Sequence, residues 1–194
     1  MARILTLCTG NAARSVMAGA AIEQRGAGHT VVTAGTLAVD GMPMSWRTRA
    51  ALTGLGLVVP NHRSKQVTPS HLRDADVVIA LAPEHVEWIR RNVPSAAART
   101  ATLIRLARDL SDADTPLSER VAQLGLEHVE LGGWEEVIDP GGGEADVFAA
   151  CAAQISDLID SLLPRLAGAS PARPAGVAPI FIAGTELGDV PRPT

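Results

Sequence analysis

Apolar and polar positions along this chain follow two rhythms. Short apolar runs at residues 3–7, 29–33 and 76–81 have the length and β-branched content of strands. The run 76–81 (Asp-Val-Val-Ile-Ala-Leu) is the plainest of them and suits a parallel strand covered on both faces. Between the runs lie stretches that read as helices, over 15–25, 44–55, 83–92 and 117–128, with a short one opening at Thr68-Pro69-Ser70. The last stretch, 145–166, sets Val147, Ala150, Cys151, Ile155, Leu158, Ile159, Leu162 and Leu163 on one helical face. Residues 101–106 fit a fourth strand, with a helix as the alternative. Gly26 with Gly28, Gly54 with Gly56, and Gly132 with Gly133 close the helices before them. Strands alternating with helices predict an α/β fold: a three-layer sandwich around a four-stranded parallel sheet with flavodoxin-like topology, whose first βα turn lies where ligands bind.

That pattern accounts for residues 1–166 as one domain. From 167 to 194 the composition shifts to Pro, Ala, Gly and Arg. This tail reads as a linker followed by a strand-like run at 177–183, which adds an edge strand or docks on a partner chain. The 194 residues carry a formal net charge of −4 and no basic block, which argues against nucleic acid as a partner. No stretch is expected to be long and apolar enough to span a bilayer, and the residues before the first strand are too few for a secretory signal. No metal and no cofactor are expected. Three Trp, two Phe and no Tyr leave few aromatic side chains for a binding site.

The densest chemistry lies between the first strand and the first helix, in Cys8-Thr9-Gly10-Asn11-Ala12-Ala13-Arg14-Ser15. A short loop there aims backbone N–H groups and the positive end of a helix at one point, which is a seat for an anion. The sulfur of Cys8 stands at the edge of that seat, where a thiolate is stabilised. Arg14 can grip two oxygens of a tetrahedral oxyanion, although as a cation at a helix start it opposes the helix dipole unless an anion joins it. Gly10 is expected to allow the tight turn, Asn11 to fasten the loop, and Ser15 to serve as a helix cap, a hydroxyl beside the sulfur, or both. A free nucleophilic Cys8 requires reducing surroundings, hence an expected cytoplasmic location.

Cys-x5-Arg-Ser at the N-terminus resembles the phosphate loop of the low-molecular-weight protein tyrosine phosphatases and their arsenate reductase relatives. Three further landmarks follow in the family's order. Thr33-Ala34-Gly35-Thr36 is similar to a Ser-Ala-Gly-Thr element whose first hydroxyl supports the loop. His62 to Thr68 is similar to a segment whose histidine joins the network behind the nucleophile. Asp139-Pro140 is similar to the acid loop before the last helix. The resemblance implies Cys8 as nucleophile, Asp139 as general acid and then base, and Arg14 with residues 9–15 as the phosphoryl-binding group. It also implies Asn11, Ser15, Thr33 and His62 as supports, and a phosphorylated protein or small phosphoester as substrate. Two departures stand out. Gly141 and Gly142 occupy positions where relatives carry aromatic walls for a phenyl ring, and the 37–41 loop has none, leaving Trp46 and Trp134 as substitutes. Ala13 stands where many relatives have a second cysteine. The alternatives to a phosphatase are an arsenate reductase regenerated by an external thiol, and a catalytically weak phosphate-binding regulator.

Overall fold

A computed structural model describes residues 1–26 and 28–167; the strand-like run expected at 177–183 lies outside the described residues. Four parallel strands, β1 (Arg3–Cys8), β2 (Thr30–Gly35), β3 (Val77–Ala80) and β4 (Thr100–Thr102), form one sheet in the order β2-β1-β3-β4. β1 is central, with Cys8 opposite Gly35 of β2 and Leu7 opposite Ala80 of β3. Its side chains from Ile4 to Cys8 are all buried, as an apolar run with helices on both faces requires.

One face is covered by α1 (Arg14–Arg25), α2 (Trp46–Gly54), α5 (Leu103–Asp109) and α7 (Ala145–Leu166), through a core that includes Ile4, Met17, Leu52, Ile79, Leu106 and Ile155. The other face is thinner. There α3 (Pro69–Asp74) and α4 (Pro83–Asn92) bring Leu72 and Ile89 onto Leu5, Leu7 and Val78. A short helix, α6 (Leu117–Ala122), lies between α5 and α7 in the chain. Each fully buried Leu or Ile contributes about 1.5–3 kcal/mol of transfer free energy.

Local chemistry sets the ends where they differ from expectation. The run 101–106 is a strand only to Thr102. The Thr102 hydroxyl then accepts the Arg105 N–H at 3.2 Å, and this cap turns the chain into α5. Helix α2 begins at Trp46 because Ser45 caps it, accepting the Thr48 N–H at 3.1 Å. The helix expected over 117–128 stops at Ala122, ahead of Gly125, whose φ of 56° ends any right-handed continuation. Contrary to the expectation that no stretch is long and apolar enough to cross a bilayer, α7 meets that test. Its apolar stripe, Phe148, Cys151, Ile155, Ile159 and Leu162, is nevertheless buried in the protein core.

At the C-terminal edge of the sheet the backbone packs closely. Gly35 ends β2 directly under the loop that follows Cys8; a Cβ there would collide with Thr9 O and stand 2.9 Å from Asn11 N. Gly35→Ala is therefore expected to cost about 1–3 kcal/mol of stability in urea unfolding; an unchanged midpoint would show that the loop yields instead.

Candidate active site

The loop from Thr9 to Ala13 turns its carbonyls outward, and each of four meets a donor from a different part of the chain. Leu37 N donates to Thr9 O at 2.9 Å. His62 Nε2 and Ser64 Oγ donate to Asn11 O at 2.7 and 2.9 Å. Thr48 Oγ1 donates to Ala12 O at 3.0 Å, and Met17 N to Ala13 O at 2.9 Å. Among the described residues no backbone N–H from Gly10 to Ala13 has a backbone or side-chain acceptor. Carbonyls held out and amides left free describe a nest for an anion at the start of α1.

Asn11 is the pin of this arrangement. It is fully buried and carries a positive φ of 50°, alone among the described non-glycine residues. The neighbouring Gly10 does not take up that conformation; Asn tolerates it and adds a side chain that locks it. The backbone N–H of Lys65 donates to Asn11 Oδ1 at 2.9 Å, which fixes the amide's orientation. Nδ2 then donates to Ser15 Oγ and to Thr33 Oγ1, both at 2.9 Å. With its oxygen so occupied, Ser15 has its own proton free for Cys8 Sγ at 3.0 Å. Ser15 is not the helix cap; α1 starts at Arg14 with no side-chain cap.

Cys8 itself is buried at the end of β1. The buried Arg14 meets Asp139 from far along the chain: Nη2 donates to Asp139 Oδ2 at 3.0 Å, while Nη1 has no partner among the described residues, so one arm of the fork is free. Asp139 is half-exposed, and its Oδ1 accepts the Gly141 N–H at 2.9 Å. The segment that carries it is tied on both sides of the sheet edge, Val137 N to Leu81 O at 3.1 Å and Ile138 N to Gln154 Oε1 of α7 at 2.9 Å. Cys8, Thr9, Gly10, Ala12, Ala13, Arg14 and Asp139 line one cavity of about 390 Å³, closed by Ser45, Thr48, Pro140, Gly141 and Phe148. A second cavity of equal volume opens at the other end of the strands, around Arg3, Thr30, His71 and Asp74, and holds no nucleophile.

Every site residue expected from the sequence is thus brought to one end of the sheet. Trp46 and Trp134 are not among the residues lining the cavity. Trp46 stacks with Arg47, and Trp134 lies under Arg108 with 3.8 Å from the guanidinium carbon to the ring centre. Phe148 supplies the sole aromatic wall of the cavity among the described residues. Sequence reasoning missed Thr48, Ser64 and His85. His85 Nε2 lies 3.0 Å from Thr9 Oγ1, and burial, aided by the nearby Arg14 charge, pushes its pKa down to about 3. Burial likewise lowers that of His62, so Nε2 is held as a neutral donor to Asn11 O. The second cysteine, Cys151, is a core thiol pushed up to about 12 by burial, its Sγ 3.9 Å from Met17 Sδ. Among the described residues no three His, Cys, Asp or Glu side chains converge as metal ligands.

The family model described as low molecular weight phosphotyrosine protein phosphatase matches residues 3–129. A protein-arginine-phosphatase of Geobacillus stearothermophilus is 30% identical over 84% of this chain and 95% of its own length. A low molecular weight protein-tyrosine-phosphatase of Streptomyces coelicolor is 33% identical over 83% of this chain and 91% of its own. Among solved structures, the YwlE arginine phosphatase from Geobacillus stearothermophilus superposes with a TM-score of 0.69 at 30% identity, covering 86% of this chain and 93% of that one.

Two consequences of the geometry are measurable. Asn11→Ala removes three side-chain hydrogen bonds and leaves a methyl side chain at positive φ. It is expected to lower stability by about 2–4 kcal/mol in urea unfolding. His85 stays neutral in the folded protein down to about 3, whereas the unfolded chain protonates it at its ordinary 6.5. The unfolded state therefore binds more protons across that window, and stability falls as pH drops from 6.5 towards 3. Unfolding midpoints at about pH 7.5 and about pH 5.5 should show this loss, and His85→Leu should reduce it.

Proposed function

The chain belongs to the low molecular weight phosphotyrosine protein phosphatase family, and from that premise we propose a residue-by-residue account of how it hydrolyses phosphate monoesters. The observation that carries it is the convergence of Cys8, Gly10, Ala12, Ala13, Arg14 and Asp139 on one cavity, beside unpaired loop amides and an Arg14 fork with one nitrogen unmatched. The Cys8 thiolate attacks phosphorus; an S–P bond forms as the P–O bond to the leaving group breaks, and Asp139, protonated at that moment, gives its proton to the departing oxygen. Asp139 as carboxylate then takes a proton from water, whose oxygen attacks phosphorus and breaks the S–P bond, releasing phosphate and the thiolate. The amides and Arg14 hold the equatorial oxygens throughout.

Before substrate arrives, Arg14 and Asp139 hold each other at 3.0 Å. An incoming phosphoryl group takes Arg14 Nη2 for itself and frees Asp139 Oδ2 to face the leaving atom. The Ser15 hydroxyl donates to Cys8 Sγ and stabilises the sulfur anion, chiefly when sulfur becomes the leaving group. A reduced Cys8 is a condition of turnover, so a reducing compartment such as the cytoplasm is the proposed location.

The substrate is a phosphorylated protein or a small phosphoester. A second reading, hydrolysis of phosphoarginine, is favoured by one feature: the cavity has Gly141 after Asp139-Pro140 and no aromatic side chain besides Phe148 to clamp a phenyl ring. The similarity to a relative named as a protein-arginine-phosphatase supports the same reading.

With aryl phosphates, Cys8→Ser is expected to abolish turnover, and Asp139→Asn to slow it by about 10²–10⁴-fold, most for poor leaving groups. Full activity of Cys8→Ser would overturn the account. In a panel of phosphotyrosine and phosphoarginine peptides, a higher kcat/KM on phosphoarginine would support the second reading, and a preference for phosphotyrosine would exclude it. Arsenite release from arsenate with an external thiol tests the reductase alternative.

A further inference from the structure

His85 takes no part in the chemistry above, yet it is buried beside it. It lies in the first turn of α4, 1% exposed, with Nε2 3.0 Å from Thr9 Oγ1. Its Nδ1 is also buried and has no partner among the described residues. Glu84 Oε1 stands 3.7 Å from Nε2. A neutral imidazole carries one N–H. With the proton on Nδ1, a buried donor would lack any acceptor. With it on Nε2, the N–H faces both the Thr9 oxygen and the Glu84 carboxylate, and only a lone pair is left bare, the more tolerable orphan. Both features favour Nε2–H. Thr9 Oγ1 is then an acceptor, and the hydroxyl proton of Thr9 cannot turn back to the ring. Thr9 is exposed and lines the cavity with Cys8, Gly10 and Arg14, so that proton is left free to turn toward the cavity.

We propose that His85 is a positioning residue for phosphate: it holds Thr9 Oγ1 as an acceptor and so turns the Thr9 hydroxyl proton onto a phosphoryl oxygen, adding one side-chain donor to the ring of backbone amides. The assignment extends the reading of residues 8–15 as the phosphate site and rests on it. It differs from a packing role in what it couples, since a filler of core space has no reason to share its effect with an exposed threonine.

The test uses the full chain and inorganic phosphate, with binding read by calorimetry, which needs no turnover, and with KM and kcat measured in parallel on an aryl phosphate. Thr9→Val and His85→Leu are each expected to weaken phosphate binding about tenfold and to raise KM more than they lower kcat. The double variant should bind no more weakly than Thr9→Val alone, and His85→Gln, whose amide can donate, should recover part of the loss. Phosphate binding by Thr9→Val equal to wild type would overturn the proposal, as would losses that multiply in the double variant. Thr9 is exposed, so Thr9→Val remains decisive even if His85→Leu fails to fold. A wild-type protein that binds phosphate through Thr9 but turns over no phosphoester would sink the phosphatase mechanism and leave this assignment standing.

Discussion

Everything at this site depends on a loop being made to face the wrong way for a protein interior. Left to itself, a backbone at the end of a buried strand pairs its N–H groups with carbonyls. Here the carbonyls of residues 9, 11, 12 and 13 are taken by donors from Leu37, His62, Ser64, Thr48 and Met17, and the amides are left over. The cost of those unpaired amides is met by the rest of the fold, because the donors come from segments already packed for other reasons. Asn11 joins the two halves of this scheme. Its main chain is held by the 62–64 segment, and its side chain is taken up by Ser15, Thr33 and Lys65.

The same logic explains the pairing of Arg14 with Asp139. A buried guanidinium without an anion is unstable, and a half-exposed carboxylate is the partner the chain itself can supply. That pairing leaves Nη1 unmatched, so the resting site is held together by an interaction that a doubly or triply charged oxyanion completes better. In the proposed mechanism, binding and arming of the acid are in this way one rearrangement around a single side chain.

Much of this is legible from the sequence because it is local. Cys8 to Ser15 is contiguous, and the buried runs of β1 and β3 announce themselves by their length. Thr33, His62 and Asp139 stand out only through their family resemblance, since no spacing rule links residues that lie so far apart in the chain. Thr48, Ser64 and His85 carry no signal: each is a common polar residue whose meaning comes from the helix start or connecting segment that delivers it to the loop. The positive φ falls on Asn11 and not on the neighbouring Gly10 for a related reason. Glycine is the default for that conformation, but Asn11 takes it because its side chain has three partners waiting. The end of β4 comes earlier than the apolar run suggests because Leu103 and Ile104 suit either element, and one capping hydroxyl at Thr102 decides between them.

The anchoring of the Asp139 segment by Gln154 has a consequence for how such a protein can diverge. The anion nest is complete within the first half of the chain, whereas Asp139, its tether to Leu81 and the amide from α7 that steadies Ile138 all belong to the second. In the proposed mechanism grip and proton delivery therefore draw on separate stretches, which meet at Arg14, at the edge of β3 and where α7 packs on α1 and α2. On that reading, drift in the later stretch retunes which leaving group departs, or silences hydrolysis altogether, while the backbone nest of the earlier one keeps its own supports.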